Sequence, residues 1–140
     1  MITCTRRIQF CAGHRVHKHE SKCRNAHGHN YVVFFEAVAP DLDAVGRVID
    51  FSILKEKLGG WIDTHWDHGF LYWIADSEMH QAMRAVAGQK VYIMPDNPTA
   101  ENMAEYLLRD ICPNQLSGTG VTVRKVTVHE TENCYAEASL

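Results

Sequence analysis

The stretch 29–39, HNYVVFFEAVA, leaves little choice of local structure. It is rich in β-branched and aromatic residues and is followed by the turn-forming pair Pro40 and Asp41, so it predicts a β-strand. Side chains alternate between the two faces of a strand, and His27 and His29 would therefore point the same way. Two imidazoles on one face raise the possibility of a metal site.

The rest of the chain divides into segments with strand character and segments with helical periodicity. Strands are predicted over 3–11 and 121–130, and the C-terminal segment CYAEASL can return as the hairpin partner of the latter. Apolar residues at helical spacing predict helices over 51–65 and 97–114. Pro98 suits the first turn of the second helix, and Pro113 is expected to end it.

The remaining segments have weaker patterns. Residues 14–26 are polar and aperiodic and predict a loop, 76–87 predict a short helix or an inserted loop, and 90–94 could form a short strand. We therefore expect one α+β domain over 1–140, with an antiparallel four-stranded sheet, two long helices on one face and the order ββααββ. Such a sheet has two edges that need pairing or protection, which favours a homo-oligomer.

Composition excludes several classes of protein. The net charge is −3 and Lys and Arg are scattered, which argues against a nucleic-acid-binding protein. No apolar run approaches the length of a membrane span, and the N-terminal residues do not resemble a secretory signal. The five cysteines include no CxxC pair, as expected for reduced thiols. We expect a cytoplasmic protein.

A third histidine could complete a metal site with His27 and His29. His14 follows the first predicted strand, and a hairpin-like return would bring it beside them, although His17 and His19 compete for this position. Three neutral imidazoles suit zinc and leave a fourth position open for water or substrate. Cys23 could instead be a fourth ligand, which would close the site and make it structural.

Cys23 has a second interpretation. Lys22 and Arg24 flank it, and positive charge nearby lowers the pKa of a thiol and favours the thiolate that acts as base or nucleophile. A free cysteine is also commonly a small buried apolar residue, so the position alone does not decide.

Asp67 and His68 form a further titratable pair after the first helix. A carboxylate can orient an imidazole that exchanges protons near neutral pH, but an exposed Asp-His pair at a helix end is equally common. Glu130 stands at the end of the strand over 121–130, where it could equally be a solvated strand terminus.

Six segments together make the chain resemble the 6-pyruvoyltetrahydropterin synthase / 6-carboxytetrahydropterin synthase family. In chain order these are FCAGH, CxxxHGHNY, VIDFSILK, WDHGFL, NPTAEN and VHET. The resemblance covers nearly the whole chain. It implies the tunnelling fold (T-fold), in which sheets from several subunits join into an oligomeric barrel, here a hexamer, with active sites at the subunit interfaces.

The resemblance also implies roles for individual residues. The implied ligands of a catalytic Zn²⁺ are His14, His27 and His29. Cys23 would be the proton-accepting thiol, and His68 with Asp67 would belong to a proton relay. Glu130 would anchor the pterin, whose neighbouring N–H donors can form two parallel hydrogen bonds to one carboxylate. Thr99 and Glu101 fall in the helix-opening motif and would line the same pocket.

The implied substrate is 7,8-dihydroneopterin triphosphate. One branch of the family keeps the side chain as a pyruvoyl group, whereas the other releases acetaldehyde and leaves a 6-carboxy group on the path to queuosine. The segments VIDFSILK, WDHGFL and NPTAENMA favour the carboxy branch, a zinc-dependent carbon–oxygen lyase. The alternatives are the pyruvoyl enzyme and, in another class, a non-catalytic zinc-stabilised oligomeric binding protein.

The sequence departs from the family pattern in two places. Gly13 stands where the family commonly has a second alanine, and the segment 72–96 is longer than in compact members. The triphosphate must meet positive charge, and the nearest basic residues in the sequence are Arg15, Lys18, Lys22 and Arg24. The sequence does not show which of these residues would bind the triphosphate.

Overall fold

Two long strands form the centre of the fold. The computed structural model describes residues 1–140, and in it β1 (Cys4–His14) and β2 (His27–Val38) pair antiparallel, with Cys4 opposite Ala37 at one end of the ladder. Both strands run further toward their connection than predicted, so the loop between them covers 15–26. This extension places His14 directly opposite His27.

Four shorter strands complete one six-stranded sheet. They are β3 (Gly69–Trp73), β4 (Val91–Met94), β5 (Thr122–His129) and β6 (Tyr135–Ser139). The strand order is β4-β3-β1-β2-β5-β6. The pairs β1–β2, β2–β5 and β5–β6 are antiparallel, whereas β1–β3 and β3–β4 are parallel. The sheet is therefore mixed.

The prediction of a four-stranded, purely antiparallel sheet in the order ββααββ is wrong. Four antiparallel strands are present, but β3 was not predicted and joins β4 at the parallel side of the sheet. The strand β3 has only five residues, most of them buried on both faces, so it shows no alternation of apolar and polar residues. The possible strand over 90–94 is confirmed as β4, and the α+β class is confirmed.

Three helical segments connect the strands. The first, α1 (51–65), contains a π-helical stretch at Lys55–Gly59, and the third, α3 (100–115), contains another at Leu107–Ile111. The short helix α2 (Ser77–Arg84) lies between β3 and β4. No helix is long and apolar enough to cross a membrane.

Each helix begins at a residue whose side chain accepts a hydrogen bond from a backbone N–H of the first turn. These residues are Asp50 for α1, Asp76 for α2 and Thr99 for α3. The first-turn amides have no partner within a helix, so such side chains fix where it starts. The start of α3 matters most for function, because residues just before it contact the candidate site.

The core lies between the two long helices and one face of the sheet. One cluster of 25 buried apolar residues joins them, including Phe10 and Tyr31 from the strands and Leu58 and Leu107 from the helices. The intervening strand residues, such as Gln9 and Cys11, are exposed on the opposite face. The predicted packing of both long helices on one face of the sheet is therefore confirmed.

Gly13 adapts β1 to the neighbouring strand. A Cβ atom at this position would lie 2.7 Å from Cδ2 of Phe70, its partner in the parallel pairing of β1 with β3. We expect Gly13→Ala to lower the free energy of unfolding by about 1–3 kcal/mol, because the Phe70 ring must shift. Urea-induced unfolding measures this change.

Gly60 provides the matched control. A Cβ there meets nothing within 4 Å, and the residue lies in α1. Gly60→Ala should therefore raise stability by about 0.5–1 kcal/mol, through the higher helix propensity of alanine. Equal stability of Gly13→Ala and the parent protein would show that the Phe70 ring moves without cost.

Candidate active site at a cluster of three histidines

The pairing of β1 with β2 brings three histidines together. His14 lies opposite His27, and His29 lies two residues further along β2 on the same face. One ligand nitrogen from each ring can be chosen so that all three lie within 4.8 Å of one another. His14 is buried and the other two are half-buried. The structure thus contains the predicted cluster, and it could hold a metal ion.

Two backbone carbonyls fix the tautomers of His14 and His27. Nδ1 of His14 lies 2.7 Å from the carbonyl oxygen of Pro98, and Nδ1 of His27 lies 2.7 Å from that of Asn25. A carbonyl oxygen only accepts hydrogen bonds, so each Nδ1 carries a proton and donates it. In the neutral rings both Nε2 atoms then present a lone pair, which is the form that binds a metal.

The spacing of these nitrogens fits a shared cation. The two Nε2 atoms lie 3.1 Å apart. Two lone pairs at this distance repel unless a positive charge lies between them. Nitrogens bound to one tetrahedral zinc ion at about 2.0–2.1 Å lie about 3.3 Å apart, close to the separation seen here.

The third ring also presents an unsatisfied nitrogen. Nε2 of His29 is buried and has no hydrogen-bond partner, although it lies 3.7 Å from Oε2 of Glu130. Burial is the main cause that lowers the pKa of His29, opposed by Glu130. Burial likewise lowers the pKa of His14 to about 4, despite the opposing hydrogen bond to Pro98. The surroundings therefore favour neutral imidazoles, as metal binding requires.

The segment before α3 supports the cluster in a way that the sequence did not reveal. The side chain of Asn97 accepts a hydrogen bond from the His17 amide at 2.9 Å and donates one to the His17 carbonyl at 2.8 Å. Asn102 in turn donates to the Asn97 carbonyl at 2.9 Å. These bonds hold the loop after β1 against the segment before α3, which contains the carbonyl of Pro98. The two asparagines of the segment NPTAEN were the only feature of the sequence that could have indicated this support.

We expect Asn97→Ala to weaken zinc binding about tenfold, because the carbonyl that orients His14 loses its support, and losses of 10–100-fold are usual for groups that hold a metal ligand. Competition with a chromogenic chelator measures the affinity. Asn114→Ala is the matched control, since Asn114 is exposed at the far end of α3 and should leave the affinity unchanged. Unchanged zinc affinity in Asn97→Ala would contradict the supporting role.

Thr99 and Glu101 have local roles in the structure. Thr99 caps α3 by accepting a hydrogen bond from the Asn102 amide at 3.1 Å, and Glu101 is exposed in the first turn. Neither side chain forms a hydrogen bond or ion pair with the three histidines. Their predicted place in a substrate pocket stays a prediction.

Cys23, His17 and His19 do not join the cluster. Cys23 lies in the turn Lys22–Arg24, where its carbonyl oxygen accepts a hydrogen bond from the Val16 amide at 3.0 Å. The residues whose ligand atoms lie mutually within 4.8 Å are His14, His27 and His29 alone. No fourth protein side chain therefore joins these three residues as a ligand.

Asp67 and His68 form a close pair outside the cluster itself. Nδ1 of His68 lies 2.9 Å from Oδ2 of Asp67, and the other carboxylate oxygen accepts from the Cys11 amide at 3.0 Å. Burial acts to raise the pKa of Asp67, but the bonds from Cys11 and His68 hold it below its ordinary value. The side chain of His68 is 77% exposed, and its φ is +59°.

His68 and one member of the histidine cluster line the same cavity. It has a volume of about 420 Å³, and its lining includes His29, His68, Cys11 and Asn30. The ring of His29 in turn lies 5.1 Å from that of His14. Within one chain the structure therefore places His68 in a cavity that reaches the cluster, although His68 is not a member of it.

Glu130 is the one predicted acid that lies beside the cluster. It follows β5, and its backbone N–H donates to the Cys134 carbonyl at 3.1 Å within the turn to β6. Glu130 and His29 both line a cavity of about 690 Å³, together with side chains such as Gln9 and Phe34. This cavity is large enough for a bicyclic ligand. Two carboxylates line it, Glu130 and Glu132, and that of Glu130 lies 3.7 Å from His29.

Tyr31 adds a polar atom that the sequence did not single out. Its ring lies 5.4 Å from that of His29, and its hydroxyl is buried without a hydrogen-bond partner. Burial, together with the charge of Glu130, raises the pKa of Tyr31 well above its ordinary value. The hydroxyl therefore stays protonated.

The comparisons with known proteins agree with this geometry. Residues 3–139 match the family described as 6-pyruvoyl tetrahydropterin synthase. The chain belongs to this family. The predicted membership is confirmed.

Curated relatives in this family match over nearly their whole length. A 6-carboxy-5,6,7,8-tetrahydropterin synthase of Rickettsia felis is 43% identical over 137 residues, which are 98% of this chain and 99% of the relative. A protein of the same description from Aquifex aeolicus is 30% identical over 152 residues, covering 93% of each chain.

Solved structures share the fold. A crystal structure of an uncharacterized protein from Wolinella succinogenes has a TM-score of 0.83 at 22% identity, covering 99% of this chain and 97% of its own. The 6-pyruvoyl tetrahydropterin synthase of Caenorhabditis elegans has a TM-score of 0.67 at 25% identity, with 99% and 95% coverage. The T-fold domain expected from the family resemblance is thereby supported at the level of the single chain.

Proposed function

We propose that this chain is a zinc-dependent 6-carboxy-5,6,7,8-tetrahydropterin synthase that acts on 7,8-dihydroneopterin triphosphate. The observation that carries the proposal is the cluster of three histidines, able to hold a metal ion, beside Glu130. Support comes from the curated relatives of that name, one of which is 43% identical over 98% of this chain. The proposed reaction is that of a carbon–oxygen lyase.

The proposed metal ligands are His14, His27 and His29. A zinc ion held there would supply Lewis-acid polarisation to the hydroxyl groups of the substrate side chain. The protein's part is to orient the rings of His27 and His14 through the carbonyls of Asn25 and Pro98, while burial keeps His14 neutral. Of the three histidines, His29 lines the cavity of about 690 Å³ that would receive the substrate.

Glu130 would hold the pterin ring. Its carboxylate faces the cavity of about 690 Å³ and can accept two parallel hydrogen bonds from the 2-amino and ring N–H groups. Such a bidentate contact sets the orientation of the pterin ring. It thereby directs the side chain of the substrate toward the histidines. Thr99 and Glu101 are proposed to contribute to the same pocket from the start of α3.

Cys23 and the pair of Asp67 with His68 would move protons. The thiolate of Cys23 would take a proton from a side-chain carbon and return it, while His68, oriented by Asp67, would exchange a hydroxyl proton. His68 and His29 line one cavity, so we propose that this exchange takes place within one chain. A homo-oligomer is a further proposal, for which the family resemblance implies a hexameric barrel.

The overall reaction balances with one water molecule. The substrate loses triphosphate, its two terminal side-chain carbons leave as acetaldehyde, and the carbon next to the ring remains as the 6-carboxy group on a tetrahydropterin. The electrons that reduce the ring come from the oxidation of that side-chain carbon, so no external reductant is needed. A cytoplasmic location stays a prediction, as does a place on the path to queuosine.

Product identification tests the proposed function. The zinc-loaded protein is incubated with 7,8-dihydroneopterin triphosphate, and the pterins, triphosphate and acetaldehyde are measured. We expect 6-carboxytetrahydropterin and acetaldehyde in equal amounts. A pyruvoyl product without acetaldehyde would place the chain in the other branch, and unchanged substrate with zinc bound would contradict the enzyme proposal.

A further inference from the structure

A second cavity lies in the loop between β1 and β2. It has a volume of about 330 Å³ and no hydrophobic residue lines it. We call it the loop cavity. The residues that line it are Arg15, His17, Lys18, His19, Arg24, Asn25 and Glu78. Three permanent cations and two imidazoles face a single lining carboxylate, which marks the cavity as a site for an anion.

The cations of the loop cavity differ in whether they are already paired. The guanidinium of Arg15 forms two hydrogen bonds of 2.8 Å to Asp76 and one of 2.7 Å to Glu78. Lys18 and Arg24 form no ion pair in the structure. Arg15 is thus a fixed part of the wall, whereas Lys18 and Arg24 have free donors for an incoming anion.

Lys18 holds a backbone conformation that lysine rarely adopts. Its φ is +66°, in the left-handed region where glycine and asparagine are favoured. A strained backbone at a non-glycine residue is often kept for function. Here the strained residue is one of the two unpaired cations of the loop cavity.

The loop cavity shares a wall with the histidine cluster. Asn25 lines the cavity, and its carbonyl oxygen accepts the hydrogen bond from His27. Arg15 directly follows His14, and the amide of Val16 binds the carbonyl of Cys23. The loop cavity and the histidine cluster are therefore neighbours in the structure.

We propose that the loop cavity binds the polyphosphate group of the substrate, with Lys18 and Arg24 as its main contacts. The inference rests on the proposed function, because the triphosphate is carried on the same three-carbon side chain whose hydroxyls would meet the metal. Lys22 does not line the cavity and is excluded from this role. Charged hydrogen bonds from lysine and arginine are the usual means of binding phosphate groups.

Binding of inorganic triphosphate tests the site without catalysis. Zinc-loaded protein is titrated calorimetrically, and zinc is assayed afterwards, since triphosphate chelates metals. We expect Lys18→Asn and Arg24→Gln each to weaken binding about tenfold. Asparagine suits the left-handed backbone, so Lys18→Asn should fold normally. Lys18→Arg keeps the charge and should retain the affinity, and Lys55→Asn, exposed in α1, is the control.

A comparison of the substrate with an analogue that lacks phosphate isolates the contribution of the phosphate contacts. We expect Lys18→Asn to raise KM for 7,8-dihydroneopterin triphosphate about tenfold and to leave the affinity for dihydroneopterin, which lacks phosphate, unchanged. Triphosphate affinity that is equal in all variants would overturn the inference even if the enzyme makes the expected product. Loss of triphosphate binding in the variants would support the site even if the product differs.

Discussion

Replacing His14 with alanine should cost the protein its zinc and about a thousandfold or more of its turnover. Two imidazoles hold a divalent ion weakly, and polarisation by a catalytic metal contributes several kcal/mol of transition-state stabilisation, each 1.4 kcal/mol being about tenfold in rate. The variant should nonetheless keep its fold, because His14 sits at the end of β1 rather than within the apolar cluster. Metal analysis by mass spectrometry and steady-state kinetics measure the two effects.

His65→Ala is the matched control for this prediction. His65 is exposed at the end of α1 and lies outside the histidine cluster, so both zinc content and turnover should stay at the level of the parent protein. If His14→Ala retained stoichiometric zinc and full turnover, the three histidines could not be the catalytic metal site.

Replacing Cys23 with alanine should separate catalysis from metal binding. We expect turnover to fall about a hundredfold to ten-thousandfold, the range that proton transfer by a positioned side chain contributes. Zinc content should not change, because the metal-capable cluster consists of the three histidines and Cys23 does not belong to it. Zinc analysis and kinetics on the same sample give both values.

The same variant distinguishes the enzyme from a structural zinc protein. If Cys23 closed the site as a fourth ligand, Cys23→Ala would lose zinc, and the oligomer would dissociate in light-scattering measurements. Cys134→Ala serves as the control, since Cys134 is an exposed free thiol in the turn before β6. It should leave zinc, assembly and turnover unchanged.

Much of the candidate site followed from local sequence patterns. The period of two in a strand is a property of the backbone itself, so His27 and His29 had to share a face once the strand was recognised. The second long helix could be predicted from its apolar stripe for the same reason. Its predicted ends were wrong, because the helix begins at Ala100, after Pro98, and runs past Pro113 to Gln115. The mixed sheet could not be predicted from local patterns, because β3 is short and covered on both faces and shows no alternation of apolar and polar residues.

The sequence alone therefore determined that two imidazoles lie side by side on one strand and that two amphipathic helices cover one face of a sheet. The tertiary structure decided that His14 is the third member, because strand register is a pairing between distant residues and carries no local period. It also decided that the carbonyls of Asn25 and Pro98 aim the rings, and that His68 lines a cavity together with His29. Those contacts join parts of the chain that only folding brings together.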